Sequence, residues 1–181
     1  VRQLLRGAPI RVGMLLALLS IWPQVASARV VLEFRSFNGS YFWGHLPHAF
    51  IQLDGTLDSD GRRVHENFGY TVVKLTPAIL SGYVQGTVEP VEEDYVRHTN
   101  LHFAVPISDE QYHAVVAEMV RWRDAPGKVY NIDTHNCISF VAAMAQLVGL
   151  RADVPPAMRR APKAWLNYIG DLNPQVHARH I

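Results

Sequence analysis

One cysteine in 181 residues, behind a segment that reads as an export signal, sets the terms on which this chain can fold. An exported chain with a single thiol has no internal disulfide to staple it, so its stability has to come from a packed core. The export reading rests on Arg2, Arg6 and Arg11, an apolar run over residues 12–22, Pro23, and the small residues Ala26, Ser27 and Ala28. The run is too short to span a bilayer. Cleavage after Ala28 leaves 153 residues, enough for one domain with its own core, and places it in the periplasm or outside the cell. The leader holds three of the seventeen basic residues and none of the sixteen acids, so the remainder carries 14 against 16, a net charge of −2. That balance gives no electrostatic footprint for nucleic acid. No other segment is apolar enough to cross a membrane, no cofactor is implied, and a monomer is expected.

The patterning predicts an α+β domain over residues 29–170, followed by a loose tail over 171–181. Residues 30–34 and 48–53 are rich in β-branched and aromatic side chains and read as strands. The aromatic stretch between them, 37–47, reads as a loop. Asp54-Gly55 opens a turn region that runs to Gly61, and residues 62–68 form the returning strand, ended by Gly69. Further on, 83–88, 91–97 and 101–105 are strand candidates. Two helices are better marked. Ser108 and Gln111 form a capping box ahead of an apolar face at Tyr112, Val115, Val116, Met119 and Val120. Asn136 is a good N-cap for a helix that starts at Cys137, carries apolar residues at 140, 141, 144, 147 and 148, and ends at Gly149 with Leu150 folding back. A third, short helix is expected near residues 163–169.

The position of Cys137 is what gives it chemistry. At the first turn of a helix a sulfur lies among N–H groups without intrahelical partners, at the positive end of the helix dipole, and both favour a thiolate. Most free cysteines are small buried core residues, but such a residue more often lies mid-helix on the apolar stripe. A nucleophilic thiol also needs an imidazole within hydrogen-bonding reach and a third group to hold that imidazole's tautomer. Of nine histidines, His177 and His180 lie in the tail. His113 falls on the polar side of its helix. His102 fits a satisfied structural histidine within a strand. His48 opens a strand, which sets an imidazole at a sheet edge facing a helix end, and His45 lies three residues before it.

His48-Ala49-Phe50-Ile51 with Leu53 and Gly55, followed much later by Asn136-Cys137 with Phe140-Val141, resembles the circularly permuted papain-like hydrolases of the NlpC superfamily. That group includes the lecithin:retinol acyltransferase-like enzymes and the Lnb-type periplasmic domains. The histidine strand precedes the cysteine helix here, as in the permuted members, and the resemblance covers residues 44–150. It implies a papain-like fold, a small antiparallel sheet with the nucleophile helix packed on it, Cys137 as nucleophile and His48 as base. His45 is the alternative base, because several relatives place Gly-His directly before the apolar strand. The third residue would come from the next strand. Strand alternation puts Val64, Glu66 and Phe68 on one face and His65 and Asn67 on the other, which favours Glu66 with His65 and Asn67 as alternatives.

The resemblance and the export segment together imply an exported hydrolase or acyltransferase that cleaves an amide or ester through a thioester. Its expected substrate is a cell-envelope peptide, with lipid or protein acyl groups next. A non-catalytic binding domain on the same scaffold is the competing reading. A metal site built from His45, His48, His65 and Cys137 ranks last, since none of the spacings matches a short ligand motif.

Overall fold

The computed structural model describes residues 30–39, 46–127 and 129–181. The export segment, His45 and most of the aromatic loop lie outside the described residues.

Five antiparallel strands form one sheet in the order β4-β3-β2-β1-β5. They are β1 (Val30–Phe37), β2 (His48–Thr56), β3 (Arg63–Val72), β4 (Gly86–Glu89) and β5 (Asn100–Ile107). The period-two pattern of β1 is strict: Val30, Leu32, Phe34 and Ser36 are buried and their neighbours are not. Leu32 pairs with Leu53 and Phe34 with Ile51, so the two strands turn the same apolar face to one side. Three helices cover that face: α2 (Asp109–Arg123) over β3 and β4, α3 (Cys137–Leu147) over β2 and β3, and α4 (Pro162–Leu172) over β1, β2 and β5. Phe140, Val141 and Met144 of α3 and Trp165, Leu166 and Ile169 of α4 complete the core.

The opposite face is covered at one end by chain rather than by long helices. Residues 91–97, read from sequence as a strand, contain instead the single turn α1 (Glu93–Val96). Acids at the start of that turn, Glu93 and Asp94, suit the positive end of a helix. Asn67 holds the approach to it by bonding both the N–H and the C=O of Val91. Tyr95 packs on Phe37 with ring centres 4.5 Å apart, and Arg35 Nη1 donates to Thr99 Oγ1 at 3.3 Å.

Other boundaries also shift. β2 runs through Asp54-Gly55 to Thr56, and the turn closes later, with Leu57 N–H bonded to Arg62 C=O at 3.0 Å. β3 continues three residues past Gly69. Leu147, placed on the apolar stripe of α3, is exposed. The capping box at Ser108 and the N-cap at Asn136 form as expected. Gly149, at φ +81°, ends α3 with its N–H bonded to Gln146 C=O and that of Leu150 to Ala145 C=O. The C-terminal residues, expected to be loose, lie against the body: Arg179 N–H bonds His102 C=O at 2.8 Å, and Asn167 Nδ2 bonds Ile181 C=O at 3.2 Å.

Candidate functional site

The site lies where β2 begins and α3 begins. Pro47 cannot donate a ladder hydrogen bond, and β2 starts immediately after it, with His48 paired opposite Phe37. Across from it, Asn136 fixes the start of α3 through its side chain. Its Oδ1 accepts from the N–H groups of Ile138 at 2.8 Å and Ser139 at 3.2 Å, and Ser139 Oγ accepts from Asn136 N–H at 2.7 Å. Its Nδ2 donates to the carbonyls of Ile132 and Arg159. One buried amide therefore ties the loop before α3, the helix itself and the segment before α4 together.

Cys137 is buried, at 6% exposure. Burial pushes its thiol up to about 11, against the opposing pull of the N–H groups of Ala49, Ile138 and Cys137 itself. The helix end is expected to favour the thiolate; the N–H groups are present, but desolvation outweighs them. His48 is half-buried, and burial lowers its imidazole to about 4. Both shifts favour the neutral form. The imidazole lies over Gly69 of β3, where an added Cβ would come within 2.6 Å of Nε2. Only a residue without a side chain leaves that space.

His48 and Cys137 line one cleft of about 610 Å³. The sulfur reaches the N–H of Ala49, the residue after His48. No hydrogen bond among the described residues joins imidazole to sulfur. Two tyrosines that sequence reasoning missed complete the wall, Tyr95 from α1 and Tyr130 from the loop before α3. Burial, then the charge of the nearby Cys137 sulfur, pushes both phenols up. Tyr95 is hidden in a segment whose pattern suggests a strand, and nothing in the local sequence marks Tyr130.

The three candidates for the orienting residue do not meet His48. Glu66 is on the helix-covered face, as alternation predicts, but His48, paired opposite Phe37 and one residue before the inward-facing Ala49, is on the other face, and Glu66 pairs opposite Leu53, five residues along β2. At a rise of about 3.3 Å per residue that is roughly 16 Å from His48. Its carboxylate instead accepts from Tyr112 Oη at 3.2 and 3.3 Å, with Arg62 Nη1 at 3.7 Å. His65 bonds Asp54 across the strand pair at 2.6 Å on the exposed face. Asn67 holds Val91. Face excludes Glu66, and register excludes all three: because β3 runs on to Val72, its residues nearest the start of β2 are Gly69 and those beyond.

Other histidines are accounted for by packing. His135 stacks flat on Trp122, ring centres 4.1 Å apart. His102 is the extra residue of a β-bulge in β5, where Phe34 pairs with Phe103 and Arg35 with Leu101. The bulge turns it into the interior, where Nε2 meets Ser36 Oγ and Nδ1 meets Asn167 Oδ1, each at 2.8 Å. Among the described residues no group of three or more His, Cys, Asp and Glu side chains is arranged to hold a metal ion.

No family model and no curated protein matches the chain. Its fold is similar to that of the type VI secretion system effector TseH, over 78% of this chain and 88% of that one, at 19% identity and a TM-score of 0.53.

Proposed function

We propose that this chain is an exported thiol hydrolase or acyltransferase on a permuted papain-like scaffold, with Cys137 as nucleophile and His48 as base. The observation that carries the reading is the shared cleft, in which a sulfur at a helix start faces three backbone N–H groups beside a strand that opens with histidine. Sγ bonds the carbonyl carbon as its proton passes to the imidazole. The N–H groups near the sulfur receive the developing oxyanion. Collapse breaks the C–N or C–O bond, and His48 returns the proton to the departing amine or alcohol, leaving a thioester. Water then attacks, giving its proton to His48, and the thiol departs reprotonated. An amine or alcohol in place of water makes the reaction an acyl transfer. In this reading the imidazole is positioned by its seat on Gly69 rather than by Glu66, His65 or Asn67. The substrate is a cell-envelope peptide or a related acyl compound, in keeping with the export segment read at residues 1–28.

A specific observation favours a second reading, a binding domain that retains the thiol without using it: Cys137 is buried at 6% exposure, and burial disfavours the charged forms of both thiol and imidazole. An activated acyl ester separates the two. Incubation with p-nitrophenyl acetate is expected to place an acetyl group on Cys137, detected by mass spectrometry and released by hydroxylamine. Cys137→Ser abolishes the adduct, and His48→Ala slows it by about 10²–10⁴-fold. Absence of the adduct, or an unchanged rate in His48→Ala, rejects the enzyme reading.

A further inference from the structure

Seven large apolar side chains are exposed among the described residues; Leu46 and Leu75 line the cleft, and Val73, Leu80 and Tyr83 share with Leu75 one stretch of chain. Four belong to the excursion between β3 and β4, which is closed at its base by Val73 N–H to Gln85 C=O at 3.0 Å. Its single turn of 3-10 helix, Pro77–Leu80, turns Ile79 inward at 5% exposure and Leu80 outward at 65%. Leu46 and Leu75 line the cleft itself, continuous with Val72 and Ile79 inside it. The charge pattern is equally one-sided. From residue 67 to residue 88 there is no acid, and Lys74 is the sole charge.

We propose that the excursion over residues 73–83 is a bilayer-docking surface that sets the mouth of the cleft against lipid. Leu75, Leu80 and Tyr83 would enter the boundary between headgroups and acyl chains, where a tyrosine keeps its hydroxyl wet and its ring dry. Lys74 can lay its stem along the same surface and carry its ammonium to a phosphate. A stretch with one cation and no acid is complementary to an anionic membrane. Glu89 and Glu92 stand on the next part of the rim, so contact is confined to the 73–83 side. A second copy of the chain is a poorer occupant, since a dimer through this patch would close the cleft. The proposal does not depend on Cys137 chemistry.

Vesicle sedimentation tests it, using the processed chain that begins at Arg29 and carries Cys137→Ser, so that no lipid is turned over. Vesicles of phosphatidylglycerol and phosphatidylethanolamine, one part to three, are expected to carry the protein down, and phosphatidylcholine vesicles to carry much less. Leu80→Asp should weaken partition by about tenfold or more, while Leu147→Asp, an exposed leucine on α3, should leave it unchanged. Circular dichroism confirms that both variants are folded. No sedimentation, or equal sedimentation of Leu80→Asp, overturns the proposal. So does a concentration-dependent dimer that Leu80→Asp dissolves, which would give the patch to a second copy. Acylation of Cys137 by a soluble ester without vesicles reports separately on the enzyme reading, so either result can fail alone.

Discussion

At Cys137 two physical effects oppose each other, and their sizes decide the resting state. A helix terminus and a few N–H groups stabilise an anion by about 1–2 kcal/mol, whereas removing a thiolate from water costs more, and the thiol ends at about 11. His48 is biased the same way, its charged form disfavoured by burial. Both shifts disfavour a preformed thiolate–imidazolium pair at neutral pH, so that the imidazole takes the proton during attack. Alkylation by iodoacetamide should accordingly be roughly 10²-fold slower than that of a free cysteine at pH 8, and should rise about tenfold per pH unit to beyond pH 10. A rate that levels off below pH 8 would mean an ion pair and would refute this account. Cys137 is legible in the sequence as a residue at a polar helix start. That Ala49 and the walls of the cleft close over that start is not, because those neighbours are distant in the chain.

At the scale of elements, α3 is the most legible part of the molecule, because its signals are local. Asn136 at the start and Gly149 with Leu150 at the end act within a few residues of the helix. The reach of Asn136 beyond its helix is not legible, since its Nδ2 partners at Ile132 and Arg159 belong to other segments. This makes Asn136→Asp an unexpectedly severe change. It keeps the capping oxygen but sets a charged acceptor against two carbonyls. Urea unfolding should show a loss of roughly 2–4 kcal/mol for Asn136→Ala, combining a lost cap with buried carbonyls left without donors, and a loss of similar size for Asn136→Asp. Wild-type stability in the Asp variant would show that the amide donors contribute nothing. The segment at 91–97 is the converse case. Its apolar residues suit a strand, but the turn there is set by acids at its start and by the distant clamp from Asn67. The hairpin of β2 and β3 is readable as a pair, yet its register is not. Alternation sorts the residues of β3 between two faces, but which face His48 shares, and how far along the strand its neighbours lie, depend on the register and on where the ladder ends.

Across the whole molecule, the pairing of sheet and helices is joined at a second point far from the cleft. His102 sits at a bulge that no alternation pattern marks, and through Ser36, Asn167 and the N–H of Arg179 it connects β1, β5, α4 and the C-terminal residues. At 1% exposure its imidazole is lowered to about 4, first by burial and further by the charges of Lys163 and His180, against a supporting bond from Asn167. The unfolded chain, by contrast, protonates this group near pH 6.5. Between those values the unfolded state binds more protons than the folded one, so stability is full above about pH 6.5 and falls as the solution is acidified toward pH 4. Two and a half pH units correspond to about 3 kcal/mol at most from this one group. His48 adds a smaller loss in the same window, because it is partly exposed. His102→Gln can still bond Ser36 and Asn167 but cannot take up a proton. Its unfolding free energy at pH 7 should be somewhat below wild type, and its decline between pH 6.5 and 4.5 distinctly shallower. Carboxylates lowered by their own partners, such as Asp133 beside Arg160, lose their contribution only at lower pH and are common to both proteins, so the difference between the two curves isolates the imidazole. Parallel curves would mean that His102 is already protonated in the folded state, with its bonds to Ser36 and Asn167 both donated by the ring.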